Sequence, residues 1–214
     1  MKISILVALA ALIPQLVLAE PGTETAPSAS KPIVINTQSL RPGDGGYTQE
    51  IAAQGLQGTA EISAKLAPDG TLSAIAIKST SRSEALDEIA LELVRKLKFK
   101  AKEDRKPDME IIVPVEFLRD SFVTLNNKTC AEFNVDAGYF KKTFPEKSIR
   151  DMSVINMSVG AMLLLGPSNV ATEKKVKIAQ GTNEAANKIE DACTKEPGAG
   201  FFKTFTDLAK GSKD

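Results

Sequence analysis

The chain contains no histidine and no tryptophan, and it has only two cysteines among its 214 residues. Histidine supplies most acid–base chemistry near neutral pH, and histidine and cysteine supply most ligands for transition metals. The carboxylates are scattered without the spacing of a calcium-binding loop. We therefore predict a binding protein and not an enzyme, with no catalytic residues, no metal site and no cofactor.

Neither sign of charge is in excess. The sequence has 27 basic and 27 acidic residues, so its formal net charge is zero at pH 7. Proteins that bind nucleic acid or anionic membranes normally carry a basic excess. A basic run from Arg95 to Lys106 is diluted by Glu103 and Asp104, which favours a solvated loop. Nucleic acid is therefore not an expected partner.

An apolar run at the start of the chain indicates export. It extends from Ile3 to Ala19, is shorter than the ~20 residues of a membrane span, and contains Pro14. Small residues occupy the positions that a signal peptidase recognises. We predict a signal peptide over residues 1–19, cleaved after Ala19, and a periplasmic protein without a transmembrane anchor. Retention of the run as an uncleaved anchor is the alternative.

The two cysteines are expected to pair. Export leads to an oxidising compartment, where an even number of cysteines indicates a disulfide. We predict a bond between Cys130 and Cys193, with two separate buried thiols as the alternative.

Residues 20–46 are rich in Pro, Ser, Thr and Gly, which predicts a flexible arm. Within this arm, Ile33-Val34-Ile35 is interpreted either as a solvated segment or as a short edge strand added to a sheet.

Residues 47–119 have the pattern of a small β-β-α-β domain. A helical turn is expected at 47–54, and apolar residues alternate at period two over 59–66 and 72–78 around a turn at Asp69-Gly70. Helical spacing follows over 83–97, with Ser83 as the expected cap, and a last strand is expected over 110–118. The predicted fold class is α+β.

The last strand is the predicted peptide-binding site. Pro114 lacks the N–H group of a sheet ladder, which favours an edge strand. An exposed edge can bind an extended peptide through main-chain hydrogen bonds. The candidate residues on one side of this strand are Ile111, Val113, Val115 and Phe117.

Three stretches of this domain carry a family resemblance. Gly55-Leu56-Gln57-Gly58-Thr59, Asp69-Gly70-Thr71-Leu72 and Val113-Pro114-Val115-Glu116-Phe117 together resemble the C-terminal domain of TonB-family proteins, over about residues 47–118. The resemblance implies a periplasmic module that recognises short extended segments of outer-membrane transporters. Since no anchor is predicted, we expect that the binding fold is kept and that energy coupling is lost.

Residues 120–214 are predicted to form a second, all-α domain closed by the disulfide. Helical spacing covers 130–143, 148–165, 169–194 and 200–209. The apolar stretch from 154 to 165 is interpreted either as a buried core helix or as an adaptable surface for client proteins. The client-binding candidates are Val154, Met157, Met162, Leu163 and Leu164.

Both cysteines lie in stretches with a second resemblance. Thr129-Cys130-Ala131-Glu132-Phe133 and Asp191-Ala192-Cys193-Thr194 are similar to the HdeA/HdeB family of periplasmic acid-stress chaperones, over about residues 126–210. The family's single disulfide falls on Cys130 and Cys193. The family's dimers imply a homodimer as one possible assembly, although an insertion around residues 166–177 departs from the family's pattern at the dimer surface. The resemblance implies a chaperone that loosens in acid and holds unfolding proteins.

The sequence thus predicts an exported acid-stress chaperone with a TonB-like peptide-binding module. Without histidine, any switch in charge must lie near the carboxyl pKa values of about 4. The expected partners are unfolded or envelope proteins, including a segment of an outer-membrane transporter. The alternative function is a non-chaperone periplasmic adaptor that binds an outer-membrane or envelope protein and is related to TonB-dependent transport.

Overall fold

The computed structural model describes residues 31–164 and 172–211, without the side chains of residues 172–179. These residues belong to one compact unit, Lys31–Asp214. The predicted signal peptide, the start of the predicted arm and the first half of the expected insertion lie outside the described residues.

The first part of the unit is a five-stranded sheet with two helices. Strand order is β1-β5-β3-β4, and β2 follows β1 along the same side of β5. Strand β3 is antiparallel to both β4 and β5, whereas β1 and β2 run parallel to β5. The elements are β1 (Ile33–Val34), β2 (Gln38–Leu40), α1 (Gln49–Ala53), β3 (Gly58–Leu66), β4 (Leu72–Ser79), α2 (Glu84–Lys96) and β5 (Met109–Phe117).

The hairpin between β3 and β4 forms at the predicted turn. The Asp69 carboxylate accepts hydrogen bonds from the backbone N–H and the hydroxyl of Thr71, at 2.9 and 2.7 Å. Gly70 has a φ of 88°, and a Cβ there would overlap the backbone of Phe99. Glycine is therefore required at this position.

A first hydrophobic core lies between the sheet and α2. Tyr47 is fully buried beside Phe117, with ring centroids 5.4 Å apart in an edge-to-face arrangement. Alternate residues of β3 and β5 and one face of α2 supply most of the remaining core: Ala60, Ile62, Ala64, Leu66, Leu86, Ala90, Val94, Ile111, Val113 and Val115.

The start of α2 differs from the prediction. Ser83 occupies the cap position, but its side chain makes no capping hydrogen bond. The loop is held instead by Asp87, whose carboxylate accepts from the backbone N–H and hydroxyl of Ser81 and from the hydroxyl of Thr80. Asp87 reaches these donors because it lies one turn into the helix, facing back over the loop.

The second part of the unit is helical. Its elements are a 3-10 turn at Leu125–Asn127, α3 (Cys130–Thr143), a 3-10 turn at Ile149–Asp151, α4 (Ser153–Leu164), α5 (Thr172–Lys195) and α6 (Phe201–Gly211). Helix α3 begins with a capping box, in which Thr129 and Glu132 each bond the other's backbone N–H. The prediction of a mixed α+β fold is confirmed.

A separate hydrophobic core holds the helices together. Phe133 of α3 stacks on Phe201 of α6, with centroids 4.7 Å apart, and both rings are fully buried. The Cys130–Cys193 disulfide lies in this core and links the start of α3 to the end of α5, as the sequence predicts.

Candidate protein-binding site

Strand β5 is not an edge strand, which corrects the prediction from Pro114. β3 pairs along one side of β5, and β1 and β2 pair along the other. The four candidate side chains also face the core and cannot reach a peptide: Ile111, Val113 and Val115 are 0% exposed and Phe117 is 1% exposed. A main-chain role for this strand in binding a partner stays a prediction.

A proline is compatible with position 114 because the N–H group that it lacks would face the arm and not β3. The N–H of Leu118 donates to the carbonyl of Leu40 in the arm at 2.9 Å. Since alternate residues of a strand direct their N–H groups to the same neighbour, Ile112, Pro114 and Glu116 face the arm as well. The arm's pairing is interrupted opposite Pro114, because β1 pairs with residues 111–112 and β2 with residues 115–117.

Strand β4 forms the opposite border of the sheet. It pairs with β3, and no other strand among the described residues lies along its second side. Most of its residues are exposed, including Ile77 at 42%. Ala74 has a φ of 48° at an irregularity in the pairing, which interrupts the flat edge that another strand would need.

The five client-binding candidates in α4 are divided between the core and the surface. Val154 is 1% exposed, and Met157 and Met162 pack against the helical core. In contrast, Leu163 is 48% exposed and Leu164 is 76% exposed. The start of this helix is therefore a core helix and its end is exposed, while a role in binding client proteins stays a prediction.

Two further exposed apolar residues were not identified from the sequence, and the first of them lies near α4. Phe122 is 57% exposed and Val123 is 84% exposed. The Phe122 ring lies near Gly160, where an added Cβ would be 3.8 Å from its Cζ atom. Gly160 precedes Leu163 and Leu164 by three and four residues, on the same side of the helix. We call Phe122, Val123, Leu163 and Leu164 the α4 patch.

A buried group of charges joins the end of the sheet to the helices. Lys128 is 3% exposed and donates to Asp120 at 3.0 Å and to Asp136 at 2.5 Å. Arg119 pairs with the second oxygen of Asp136. Arg119 and Asp120 lie two and three residues after β5, whereas Asp136 lies on α3. Since these side chains are excluded from water, their pairing holds the two parts in one arrangement.

The pKa of Asp136 does not make this group an acid switch. Burial raises the pKa of Asp136, while the charges of Lys128 and Arg119 act in the opposite direction. A carboxyl group whose pKa is raised by folding stabilises the folded state more as the pH falls. Burial likewise raises the pKa of Tyr47, which lies nearby.

The contact between the two parts that we expect to weaken in acid instead involves an exposed carboxylate. Arg82, in the loop before α2, pairs with Glu146 at 2.6 Å and donates to the carbonyl of Thr143 at 2.9 Å. The hydrogen bond from Arg82 lowers the pKa of Glu146. The stabilisation from this contact is therefore present above the ordinary glutamate pKa and is lost as the pH falls through the lowered value.

An open cavity of about 570 Å³ lies beside the buried charges. Its lining includes Arg41, Gln49, Asp120 and Asn127. In residues 31–164 and 172–211, no group of three or more acidic residues or cysteines could hold a metal ion. No helix in the described part of the chain has both the length and the hydropathy needed to cross a membrane.

Comparison with known proteins supports one of the two resemblances. Residues 46–118 match the family model described as the Gram-negative bacterial TonB protein C-terminal. No curated protein and no solved structure matches the chain. The HdeA/HdeB resemblance of residues 126–210 receives no support. The matched segment ends directly after β5 and includes α1, β3, β4, α2 and β5, so this part of the chain is similar to a TonB C-terminal domain.

Proposed function

We propose that the chain is a non-catalytic periplasmic adaptor that binds an extended segment of an outer-membrane or other envelope protein. The observation that carries this proposal is the family match over residues 46–118, which spans α1, β3, β4, α2 and β5. Domains of this family interact with outer-membrane transporters.

The sheet supports the proposal because it already accepts parallel strands along β5. The chain's own residues 33–34 and 38–40 pair there through main-chain hydrogen bonds. Such pairing gives affinity with little demand on side chains, which suits a partner presented as an extended segment.

The test uses synthetic peptides from the periplasmic N-terminal segments of the transporters of the same cell. Fluorescence anisotropy at pH 7 would measure their binding to the chain from Glu20 onward. We expect one or a few peptides to bind and the rest not to bind. The matched control is Ile77→Ser, on the opposite border of the sheet, which should leave affinity unchanged. Absence of binding by every peptide, both to this protein and to a variant whose arm cannot pair with β5, would contradict the adaptor function.

A second candidate function is the acid-stress chaperone, which the α4 patch favours. Leu163 and Leu164 are exposed on a helix whose other face is packed in a disulfide-linked core. An apolar surface of this kind can hold the exposed segments of an unfolding protein. In acid, loss of contacts such as Arg82–Glu146 would expose more apolar surface, while the disulfide limits unfolding.

Light scattering from an unrelated aggregation-prone protein tests the chaperone. It would be recorded at pH 7 and at a pH of about 2.5, below the carboxyl pKa values of about 4. We expect suppression in acid that is reduced in the double variant Leu163→Ser/Leu164→Ser and unchanged in Ile77→Ser. Equal suppression by all three proteins would exclude the α4 patch as the client-binding surface.

A further inference from the structure

The side of β5 that faces the arm is covered unevenly. Strand β2 pairs with residues 115–117, and β1 pairs only with residues 111–112. In the described part of the chain, the first half of this side, from Met109 to Val113, therefore carries a two-residue strand where five residues could pair. We call Met109–Val113 the β5 docking segment.

Strand β1 is held weakly. Ile33 is 50% exposed and Val34 is 62% exposed, so little apolar area is buried by their side chains. The N–H of Ile35 donates to the carbonyl of Ile112 at 2.9 Å, and the Ile35 side chain is partly buried against the first core. The residue before β1 is Pro32, which has no N–H to extend the pairing. Segments with few buried contacts open at a small cost in free energy.

Strand β2 is held more strongly and would remain paired when β1 leaves. Leu40 is 7% exposed and belongs to the first core, and its carbonyl accepts from Leu118. Ser39 bonds the Glu116 carboxylate at 3.2 Å. Between the two strands, Asn36 and Thr37 are exposed and can change conformation without moving core residues.

We propose that Ile33–Ile35 occupies the β5 docking segment as an internal competitor, and that an extended apolar segment of an envelope protein displaces it. The incoming segment runs parallel to β5, as β1 does. It displaces β1 because it pairs over more residues and so forms more main-chain hydrogen bonds with β5. The inference rests on the proposed adaptor function and adds the regulation of its binding strand by the arm.

The neighbours of β1 also specify the chemistry of the partner. The position equivalent to Ile35 lies partly buried against the first core, so an apolar side chain is required there. In the register that places Ile33 opposite Ile111, Pro32 falls opposite Glu110, which is exposed. A basic residue of the partner at this position would gain an ion pair that Pro32 cannot make. Affinity of such a partner should therefore fall in Glu110→Gln.

The competition can be tested with the arm's own sequence as the probe. A fluorescently labelled peptide of residues 31–37 would be titrated against the chain from Glu20 onward, against Ile35→Pro, and against Ile35→Val. Proline removes the N–H that bonds Ile112, whereas valine keeps it. Since a tethered competitor acts at a high effective concentration, we expect Ile35→Pro to bind the peptide at least about tenfold more tightly than the parent. Ile35→Val should resemble the parent.

Hydrogen exchange on the same proteins provides a readout that needs no ligand. The amide of Ile112 should exchange at least about tenfold faster in Ile35→Pro, while the amide of Leu118, which β2 protects, should not change. Equal peptide binding by the parent and Ile35→Pro, including no binding by either, would overturn the proposal. Unchanged exchange at Ile112 would do the same. Failure of every transporter peptide on both proteins, with tighter self-peptide binding by Ile35→Pro, would instead contradict the adaptor function alone.

Discussion

Lys128 is the residue on which the buried charges between sheet and helices depend. Its ammonium group lies between the carboxylates of Asp120 and Asp136, and one oxygen of Asp120 already has no hydrogen-bond partner among the described residues. Removal of a partner from a buried ion pair is costly because the remaining charge cannot reach water. The sequence gives no local pattern for this group, since its members come from segments that meet only in the folded chain.

We expect Lys128→Met to lower the free energy of unfolding by about 3–5 kcal/mol at pH 7. Urea unfolding followed by far-UV circular dichroism would measure the change. Lys141→Met is the matched control, because Lys141 pairs with Glu190 on the surface and should cost less than about 1 kcal/mol. Similar effects of the two substitutions would show that the buried group is solvated.

Glu132 connects helix capping to pH. Partial burial raises the pKa of Glu132. Hydrogen bonds from the backbone and hydroxyl of Thr129, together with the charges of Lys128 and Arg119, lower this pKa by more than burial raises it. The net pKa lies below the usual glutamate value. The stabilisation from this carboxylate is therefore complete above the unfolded pKa of about 4.3 and is lost as the pH falls through the folded value.

The variant Glu132→Ala should lower stability by about 1 kcal/mol at pH 7, the usual size of a lost cap. The difference from the parent should shrink toward pH ~3, where the parent's carboxyl group is protonated as well. Thermal unfolding across this pH range would measure the change. Glu132→Gln keeps an acceptor oxygen and should show a smaller loss with little pH dependence. If the loss of stability in Glu132→Ala grew as the pH fell, the prediction that folding lowers the pKa of Glu132 would be refuted.

Close packing of two helices depends on a single glycine in α5. A Cβ at Gly181 would overlap the backbone carbonyl of Ala209 in α6, whereas a Cβ at Gly138 in α3 would meet nothing within 4 Å. The two glycines offer a matched pair, since both are helical and differ only in what surrounds them.

We expect Gly181→Ala to destabilise the helical part by about 1–3 kcal/mol, the usual cost of overpacking. Gly138→Ala should stabilise by about 0.5–1 kcal/mol, because alanine restricts the unfolded chain and favours helix. Chemical unfolding of the two variants and of the parent would measure both changes in the free energy of unfolding. A stabilising Gly181→Ala would mean that α5 and α6 can separate at low cost.

Local sequence patterns predicted the helices and strands well, whereas the pairing between distant segments was predicted poorly. Strand alternation placed β3, β4 and β5 within a residue of their observed ends, and the predicted helix at 130–143 matches α3. The strand at Gln38–Leu40 was not predicted, because three residues have too little periodicity. Its pairing with β5 depends on a partner more than 70 residues away, so Pro114 was interpreted as the mark of an edge.

At the scale of the whole molecule, the disulfide restrains one part and leaves the other unconstrained. Cys130 and Cys193 are 63 residues apart, and both lie in the helical core. A cross-link over a loop of this length contributes about 4 kcal/mol in the chain-entropy model, although its mechanism is disputed. The first core has no covalent restraint in the described residues.

We expect Cys130→Ser/Cys193→Ser to lose protection from hydrogen exchange in α3, α5 and α6 while the amides of β3 and β5 keep theirs. If the chaperone function holds, the same variant should also lose suppression of aggregation in acid. Exchange measured by mass spectrometry on peptic fragments separates the two parts. Equal loss of protection in the sheet would show that the two cores unfold together.

The parallel pairing of the arm has a mechanical consequence. Tension on the chain at Lys31 would reach the sheet first through the few hydrogen bonds of β1, and only then through β2 and the buried Leu40. Release of residues 31–37 would lengthen the free chain by up to about 24 Å before the load met the core. The first core would thus be protected from small forces on the arm, while the same forces would uncover the β5 docking segment.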